Sequence, residues 1–181
     1  MVPMASAFTH AIAGLALGTA FKTRPTPARF WVLGAICPAI PDLDGIGYWM
    51  GVPYESTFGH RGFTHGVFFA ALLASACMLA FRDERFRNDR RRYWTYLFLA
   101  TTSHGILDAM TSGGGGIAFF APFVNDRFFF PWRPIVVSPM SVRRFFTERG
   151  ARVIASEIRY VWIPALAFCA IVFGLRRRSP H

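Results

Sequence analysis

The sequence predicts an all-α fold, a polytopic membrane helical bundle with about four to five membrane-embedded helices and a metal cluster at one end. Of the 181 residues, 53% are apolar and only 17% are charged, whereas soluble domains carry roughly a quarter charged residues. The apolar residues form runs separated by blocks of arginine, and most histidines fall at the ends of those runs. We expect one domain over residues 1–181, with an irregular, interfacial segment at 112–157 inside it.

Five apolar runs supply the predicted helices. Phe63–Phe81 is the clearest, because its nineteen residues carry no formal charge and suit a hydrocarbon core of roughly 30 Å. Tyr93–Thr111 and Tyr160–Leu175 are further spans, and the alanine- and glycine-rich Phe8–Phe21 favours close helix packing. Phe30–Ile40 is too short to cross alone and is interrupted by proline, so we expect a half-span or a broken helix lining a polar cavity.

The formal net charge of +10 would suit nucleic acid as a partner. The basic residues instead stand in blocks beside the apolar runs, at Lys22–Arg29, Arg82–Arg92 and Arg176–Arg178. This placement is typical of membrane flanks, so we expect membrane lipids and no nucleic acid as partners. The positive-inside rule puts these blocks in the cytoplasm and the N-terminus outside. The segment 112–157 would then also lie outside, although it carries several arginines. Phe145–Arg159 either forms an interfacial amphipathic helix or docks a partner.

Imidazole and carboxylate side chains map to the outer end of the predicted bundle. They are His10, Asp42, Asp44, His60, His65, His104 and Asp108. Taken singly, each has an ordinary structural interpretation, such as a helix cap for either aspartate of the second run. Together they are too many, because ionisable groups at membrane depth are expensive unless they are paired or bound to metal. This ligand set suits two or more divalent ions, zinc first, with manganese or iron as alternatives.

The spacing of these residues adds detail. His104 and Asp108 are four residues apart, about 40° on a helix, so both can face one ion or form a hydrogen-bonded couple. The two aspartates at 42 and 44 alternate in sequence, which in extended backbone places both carboxylates on one side. We expect a helix to begin at Gly62, with His60 delivered from the preceding loop and Thr64 capping the helix.

Four motifs carry a family resemblance: Thr9-His10, Pro41-Asp42-Leu43-Asp44, His60-Arg61-Gly62-Phe63-Thr64-His65 and Ser103-His104-Gly105-Ile106-Leu107-Asp108. They resemble the YdjM-type family of inner-membrane, metal-dependent hydrolases, over most of residues 8–125. That family is similar in its metal motif to zinc-dependent phospholipase C and to the single-strand nucleases. The resemblance implies a prokaryotic inner-membrane hydrolase and a phosphoester substrate.

Metal-assisted hydrolysis is the chemistry we expect, because bound ions lower the pKa of a water and hold nucleophile and leaving group in line. One of Asp42 and Asp44 serves as a ligand while the other orients the water or accepts its proton, with Asp44 as the catalytic candidate. Arg61 lies between two candidate ligands, where its planar fork suits an anionic phosphate; a lipid headgroup contact is the alternative. Arg133, beside Trp132, is a second candidate for binding the anion.

A site at the outer interface, among the phenylalanines of 58–63 and 119–130, predicts a lipid-like or phosphorylated amphipathic substrate. Two other functions remain open. In a transporter the same cluster would bind a passing cation, and a second polar site would lie toward the cytoplasm. In a membrane scaffold the metal would be structural, which favours a closed site with four ligands.

Overall fold

The computed structural model describes residues 5–23, 25–81, 84–138 and 146–178, apart from the side chain of Arg85. Within these residues the regular structure is helical, with two isolated β-bridges between loop segments. The elements are α1 (Ala7–Phe21), α2 (Ala28–Ile36), a 3₁₀ helix (Cys37–Asp44), α3 (Gly45–Trp49), a 3₁₀ turn (Phe63–His65), α4 (Val67–Ala80), α5 (Glu84–Asn88), α6 (Arg90–Ala109), α7 (Glu148–Glu157), a π-helical turn (Ile158–Trp162) and α8 (Ile163–Arg178). The all-α prediction is confirmed.

Helices α1 and α6 pack against each other at the centre of the bundle. α2, the 3₁₀ helix and α8 also contact α1, and α4 packs on α6. Glycines allow the backbones to approach closely: a Cβ on Gly14 would lie 2.2 Å from the carbonyl oxygen of Gly34, and one on Gly34 would lie 1.6 Å from the hydroxyl oxygen of Tyr96. The small residues of the first apolar run therefore serve close packing, as predicted.

An aromatic core surrounds the first half of α6. Its largest buried members are Phe30, Phe86, Tyr93, Tyr96 and Leu97. Phe30 stacks on Tyr96 with ring centroids 4.4 Å apart, an arrangement that contributes about 1 kcal/mol beyond the burial of apolar area. This core holds α2 and α6 in register and so determines where the second half of α6 lies.

Basic residues from three parts of the sequence meet at one end of the bundle. The carbonyl oxygen of Lys22, just after α1, accepts hydrogen bonds from Arg92 at 3.3 Å and from Arg176 at 3.1 Å. His10 lies near the other end of α1, about 18 Å away at the rise of an α-helix. Within the predicted basic blocks, Arg24 and Arg82 lie outside the described residues.

Two helical stretches in the described part of the chain are long and apolar enough to cross a membrane. Ala28–Trp49 has 22 residues and Glu148–Arg178 has 31. The expected boundaries Phe30–Ile40 and Tyr160–Leu175 were therefore too narrow. The prolines of the first stretch lie in its 3₁₀ helix, which leads directly into α3. The stretch is therefore interrupted by 3₁₀ geometry but remains helical to its end. Only 6% of the apolar window of the second stretch is buried, so most of its apolar surface is exposed.

The other predicted spans need smaller corrections. The run Phe63–Phe81 divides into a 3₁₀ turn and α4, which begins only at Val67, because extended backbone at Gly66 separates them. Residues 112–138 are irregular, as expected, and β-bridges link 111 with 135 and 117 with 128. Residues 139–145 lie outside the described part, and the segment predicted to be irregular is helical from Glu148 onward.

Candidate metal centre

All seven predicted side chains meet at the end of the bundle opposite the basic blocks. His10 comes from the first turn of α1, and the two neighbouring aspartates come from the end of the 3₁₀ helix Cys37–Asp44. The 3₁₀ turn before α4 supplies His65, the loop ahead of that turn supplies His60, and the last turns of α6 supply His104 and Asp108. Five of these residues are buried and the two aspartates of the 3₁₀ helix are partly buried. The predicted convergence is thus observed.

The first group of possible ligands combines residues of three elements. It consists of Asp42, His65, His104 and Asp108, whose ligand atoms lie within 4.8 Å of one another. Asp42 Oδ1 lies 3.5 Å from His104 Nε2 and 3.7 Å from His65 Nε2. Asp108 Oδ2 lies 3.7 Å from His65 Nε2. The i, i+4 pair on α6 therefore faces one position, which Asp42 and His65 share.

The second group consists of Asp44, His60 and His65. His60 Nδ1 lies 2.5 Å from Asp44 Oδ1, and His65 Nδ1 lies 3.2 Å from Asp44 Oδ2. His65 belongs to both groups, with Nδ1 toward Asp44 and Nε2 toward Asp42. Its imidazole therefore stands between two adjacent positions for a cation.

His10 joins this cluster from α1. Its Nε2 atom lies 3.5 Å from Asp108 Oδ1, and its ring stacks on His104 with centroids 3.9 Å apart. Neither ring nitrogen of His10 has a hydrogen-bond partner. His10 is thus a further donor beside the first group.

Buried atoms without hydrogen-bond partners concentrate in this cluster. They include both ring nitrogens of His10, both carboxylate oxygens of Asp42, and the Nε2 atoms of His60, His65 and His104. Buried polar atoms in proteins are hydrogen-bonded in roughly 90% of cases or more. Unpaired nitrogen and carboxylate atoms that face one another in this way are explained if cations lie between them, so the donor set fits divalent metal ions.

The tautomer of His104 supports this interpretation. Its Nδ1 atom lies 2.7 Å from the carbonyl oxygen of Pro38, which can only accept, so Nδ1 carries the hydrogen. In the neutral ring Nε2 then holds the lone pair, directed at the carboxylate of Asp42. Lone pairs facing each other at 3.5 Å repel unless positive charge lies between them.

The formal charges of the cluster also favour a cation. Asp42, Asp44 and Asp108 contribute three negative charges and Arg61 contributes one positive charge. With neutral imidazoles the sum is −2, so the cluster as a whole attracts divalent cations. Uncompensated charge is strongly disfavoured in a buried site.

Arg61 is held inside the structure rather than directed outward. Its Nη1 atom donates to the carbonyl oxygen of Gly113 at 2.9 Å, and its Nη2 atom donates to Thr111 Oγ1 at 3.0 Å and lies 3.2 Å from Asp108 Oδ2. Its φ is +63°, an uncommon value for a residue with a side chain. The sequence suggested a phosphate contact for Arg61, and the structure adds a role that the sequence did not reveal, the orientation of Asp108.

Two other sequence-based expectations are wrong. The aspartates at 42 and 44 lie in a 3₁₀ helix rather than in extended backbone, so their carboxylates belong to different ligand groups. Thr64 does not cap a helix: its hydroxyl donates to Asp44 Oδ2 at 2.5 Å and thereby orients that carboxylate. The first difference arises because a 3₁₀ helix rotates successive side chains by about 120°. The second arises because Thr64 lies inside the 3₁₀ turn, whose N-cap position is taken by Gly62.

Arg133 and Arg127 lie on the irregular segment. Arg133, the second predicted anion contact, is exposed, and its guanidinium lies 4.6 Å from the ring centroid of Phe129. Arg127, which the sequence did not single out, donates to the carbonyl oxygens of His60 at 3.0 Å and Tyr54 at 2.8 Å. It therefore anchors the loop that delivers His60, a role without any spacing signal in the sequence.

Comparison with known proteins gives a consistent result. A family model described as YdjM inner membrane protein matches residues 4–180. The inner membrane protein YbcI of Escherichia coli strain K12 is 36% identical over 174 residues, which cover 96% of this chain and 100% of that protein. No solved structure matches the chain. The likeness first seen in motifs over residues 8–125 thus extends over nearly the whole sequence.

Proposed function

Because the chain belongs to the YdjM family of inner membrane proteins, we propose that it is a membrane-embedded, metal-dependent hydrolase. Its substrate would be a phosphoester in a lipid or another amphipathic molecule. One observation carries the proposal: buried imidazole and carboxylate atoms from four parts of the chain face one another without hydrogen-bond partners.

The two ligand groups define where ions would bind. Asp42, His104 and Asp108 would hold one ion. His60, whose Nε2 atom is unpaired, would hold a second with Asp44 beside it, and His65 stands between the two positions. Two or more divalent ions, zinc first, match this nitrogen and oxygen donor set. When bound, such ions supply Lewis acidity and a water of lowered pKa.

The chain's own residues have distinct tasks in this proposal. Asp42, whose two oxygens have no hydrogen-bond partner, serves as a ligand. Asp44 already accepts hydrogen bonds from His60, Thr64 and the Arg61 backbone, so its orientation is fixed. A carboxylate held in this way suits the orientation of a water or the acceptance of its proton. The Arg61 guanidinium keeps Asp108 in place, and its Nε atom is still unpaired for an anion.

Exposed aromatic side chains support an amphipathic substrate. Phe58, on the loop that leads to His60, is 69% exposed, and Phe123, on the irregular segment, is 76% exposed. Trp49 and Trp132 are likewise exposed. Aromatic residues are typical of the membrane–water interface, where a lipid phosphate would meet the cluster and Arg133.

The proposal also includes the membrane arrangement, with four to five membrane-embedded helices, the basic blocks in the cytoplasm and the metal centre toward the outer side. Its support is the contact of Arg92 and Arg176 with Lys22 at the end of the bundle away from His10. Under the positive-inside rule, that shared end faces the cytoplasm.

The test is hydrolysis by the full chain in lipid nanodiscs. Protein loaded with zinc is incubated with a panel of phospholipids and polyprenyl phosphates, and released phosphate or headgroup is measured. We expect turnover by the wild type and a loss greater than about 100-fold in His65→Ala, because that residue serves both ligand groups and even outer-shell changes cost 10–100-fold.

Ser103→Ala is the matched control. Ser103 precedes His104 on α6, but its hydroxyl only donates to the carbonyl oxygen of Ala100 at 2.7 Å. This variant should keep the wild-type rate. Equal rates for wild type and His65→Ala would contradict the hydrolase. Elemental analysis that finds a single chelator-resistant ion per chain would favour a structural metal instead.

A further inference from the structure

We propose that Glu157, in the C-terminal helical stretch, is a positioning residue for the metal centre. Its carboxylate would hold the start of α1 so that the backbone at Ala5 and the ring of His10 stay directed at Asp108. The inference rests on the metal binding of the proposed function, but it does not require the hydrolytic reaction.

Glu157 is completely buried, which is expensive for a carboxylate unless it is well hydrogen-bonded. Three donors from the start of α1 satisfy it. Oε1 accepts from the Ser6 backbone at 2.7 Å, and Oε2 accepts from the Ser6 hydroxyl at 2.6 Å and from the Thr9 hydroxyl at 2.8 Å. These contacts join residues about 150 positions apart in sequence, so they link the start of α1 to the C-terminal helical stretch.

Each of these donors lies next to a group that touches Asp108. Ser6 follows Ala5, whose N–H donates to Asp108 Oδ1 at 2.9 Å. Thr9 precedes His10, whose Nε2 lies 3.5 Å from the same oxygen. A displacement of the Glu157 carboxylate would therefore change both contacts of Asp108 Oδ1 at once.

The neighbouring Ser156 holds the chain on the other side of Asp108. Its hydroxyl oxygen accepts from the Val136 backbone at 2.9 Å. Ile135, which precedes Val136, accepts a hydrogen bond from the Ser112 backbone N–H at 2.8 Å and forms a β-bridge with Thr111. Two consecutive residues of the last helical stretch thus fix the segments that flank Asp108.

A π-helical turn follows Glu157 directly, over Ile158–Trp162. Such turns are rare and occur frequently at functional sites. Here the last residue of the turn makes a second contact with the same part of α1, since the Trp162 indole donates to Thr9 Oγ1 at 2.8 Å. The network around Thr9 is therefore closed by two side chains of the C-terminal stretch.

The experiment replaces Glu157 with glutamine and measures cobalt binding to the full chain in nanodiscs. The amide keeps the volume but puts an NH₂ group where one carboxylate oxygen accepts two hydroxyls. We expect Glu157→Gln to weaken cobalt binding about 10–100-fold and to change the visible absorption spectrum of the bound ion. Glu148→Gln, an exposed glutamate at the start of the same stretch, is the matched control and should leave both unchanged.

A second variant covers the case in which Glu157→Gln does not fold. Thr9→Val keeps the side-chain shape and removes one donor to Oε2, and we expect about 10-fold weaker binding with a shifted spectrum. Variants that lower thermal stability while leaving affinity and spectrum as in the wild type would overturn the positioning role. Absence of cobalt binding to the wild type would overturn the metal centre and this inference together, whereas binding without lipid hydrolysis would overturn only the proposed reaction.

Discussion

The two halves of α6 differ in how completely their buried polar groups are hydrogen-bonded. In the first half the Tyr96 hydroxyl donates to the Gly14 carbonyl oxygen at 3.0 Å, and the Tyr93 hydroxyl lies 2.7 Å from Thr23 Oγ1. In the second half His104 Nε2 is buried without a hydrogen-bond partner, as is the facing carboxylate of Asp42. The buried polar groups of the first half are thus paired within the protein, whereas those of the second half are the ones that the proposed metal would bind.

Removal of the metal should produce the largest effect, and only on the second half. A ligand that binds the native state alone stabilises it by about 4 kcal/mol at 1,000 times its dissociation constant. A chelator should therefore lower the thermal unfolding temperature, and hydrogen exchange should accelerate at residues 104–111 more than at 93–100. Added zinc should reverse both changes. Equal acceleration in the two halves would show that the ion is not local to the cluster.

Substitution of Gly114 should have a smaller effect on stability and metal binding, because a side chain there would displace the Arg61 guanidinium. Gly114 has a φ of +94°, and a Cβ there would lie 2.3 Å from Arg61 Nη1. Gly51 has a similar φ of +89° with nothing within 4 Å, so Gly51→Ala measures the backbone strain alone. That strain is about 1–2 kcal/mol. We expect Gly114→Ala to destabilise the protein more than Gly51→Ala and to weaken metal binding about 10-fold.

Chemical denaturation and a metal titration of both variants provide the measurement. If Gly114→Ala and Gly51→Ala behave alike in both assays, the guanidinium of Arg61 does not orient Asp108. If only stability differs, Arg61 supports the fold without affecting the metal centre.

Tyr96→Phe should give the smallest effect. It tests the first half of α6, where the buried hydroxyl groups are hydrogen-bonded within the protein. It removes one hydrogen bond while the ring stays stacked on Phe30, so the free energy of unfolding should fall by about 1 kcal/mol. Denaturant unfolding measures this change, and the metal content by elemental analysis should equal that of the wild type. A loss of metal in this variant would mean that the two halves of α6 are coupled.

The sequence predicted those features of the site that follow from helical period and span order. The pairing of His104 with Asp108 needed only the i, i+4 rule, and the delivery of His60 ahead of Gly62 needed only the local chain. The joint position of residues far apart followed from counting apolar runs, because consecutive spans place alternate ends together. The i, i+4 pairing, the loop position of His60 and the convergence of the side chains agree with the structure. The number of spans and their orientation stay predictions.

Other features were beyond the sequence because they depend on contacts between distant segments. A guanidinium between two ligands can face a substrate or a carboxylate, and only the position of the Gly113 turn decides that Arg61 pairs with Asp108. Likewise, an isolated arginine such as Arg127 and an isolated glutamate such as Glu157 carry no periodic signal. Their roles depend on carbonyl groups and donors brought to them by folding.

The sequence by itself determined the helical class, the apolar stretches and the set of donor residues, since these depend on composition, period and charge placement along the chain. Only the tertiary structure decided that Asp42 and Asp44 belong to different ligand groups and that the start of α1 meets Glu157 beside Asp108. The physical reason is distance. A hydropathy pattern describes one helix at a time. A metal centre depends on the relative orientation of several segments, accurate to a fraction of an ångström, and the sequence alone does not orient them.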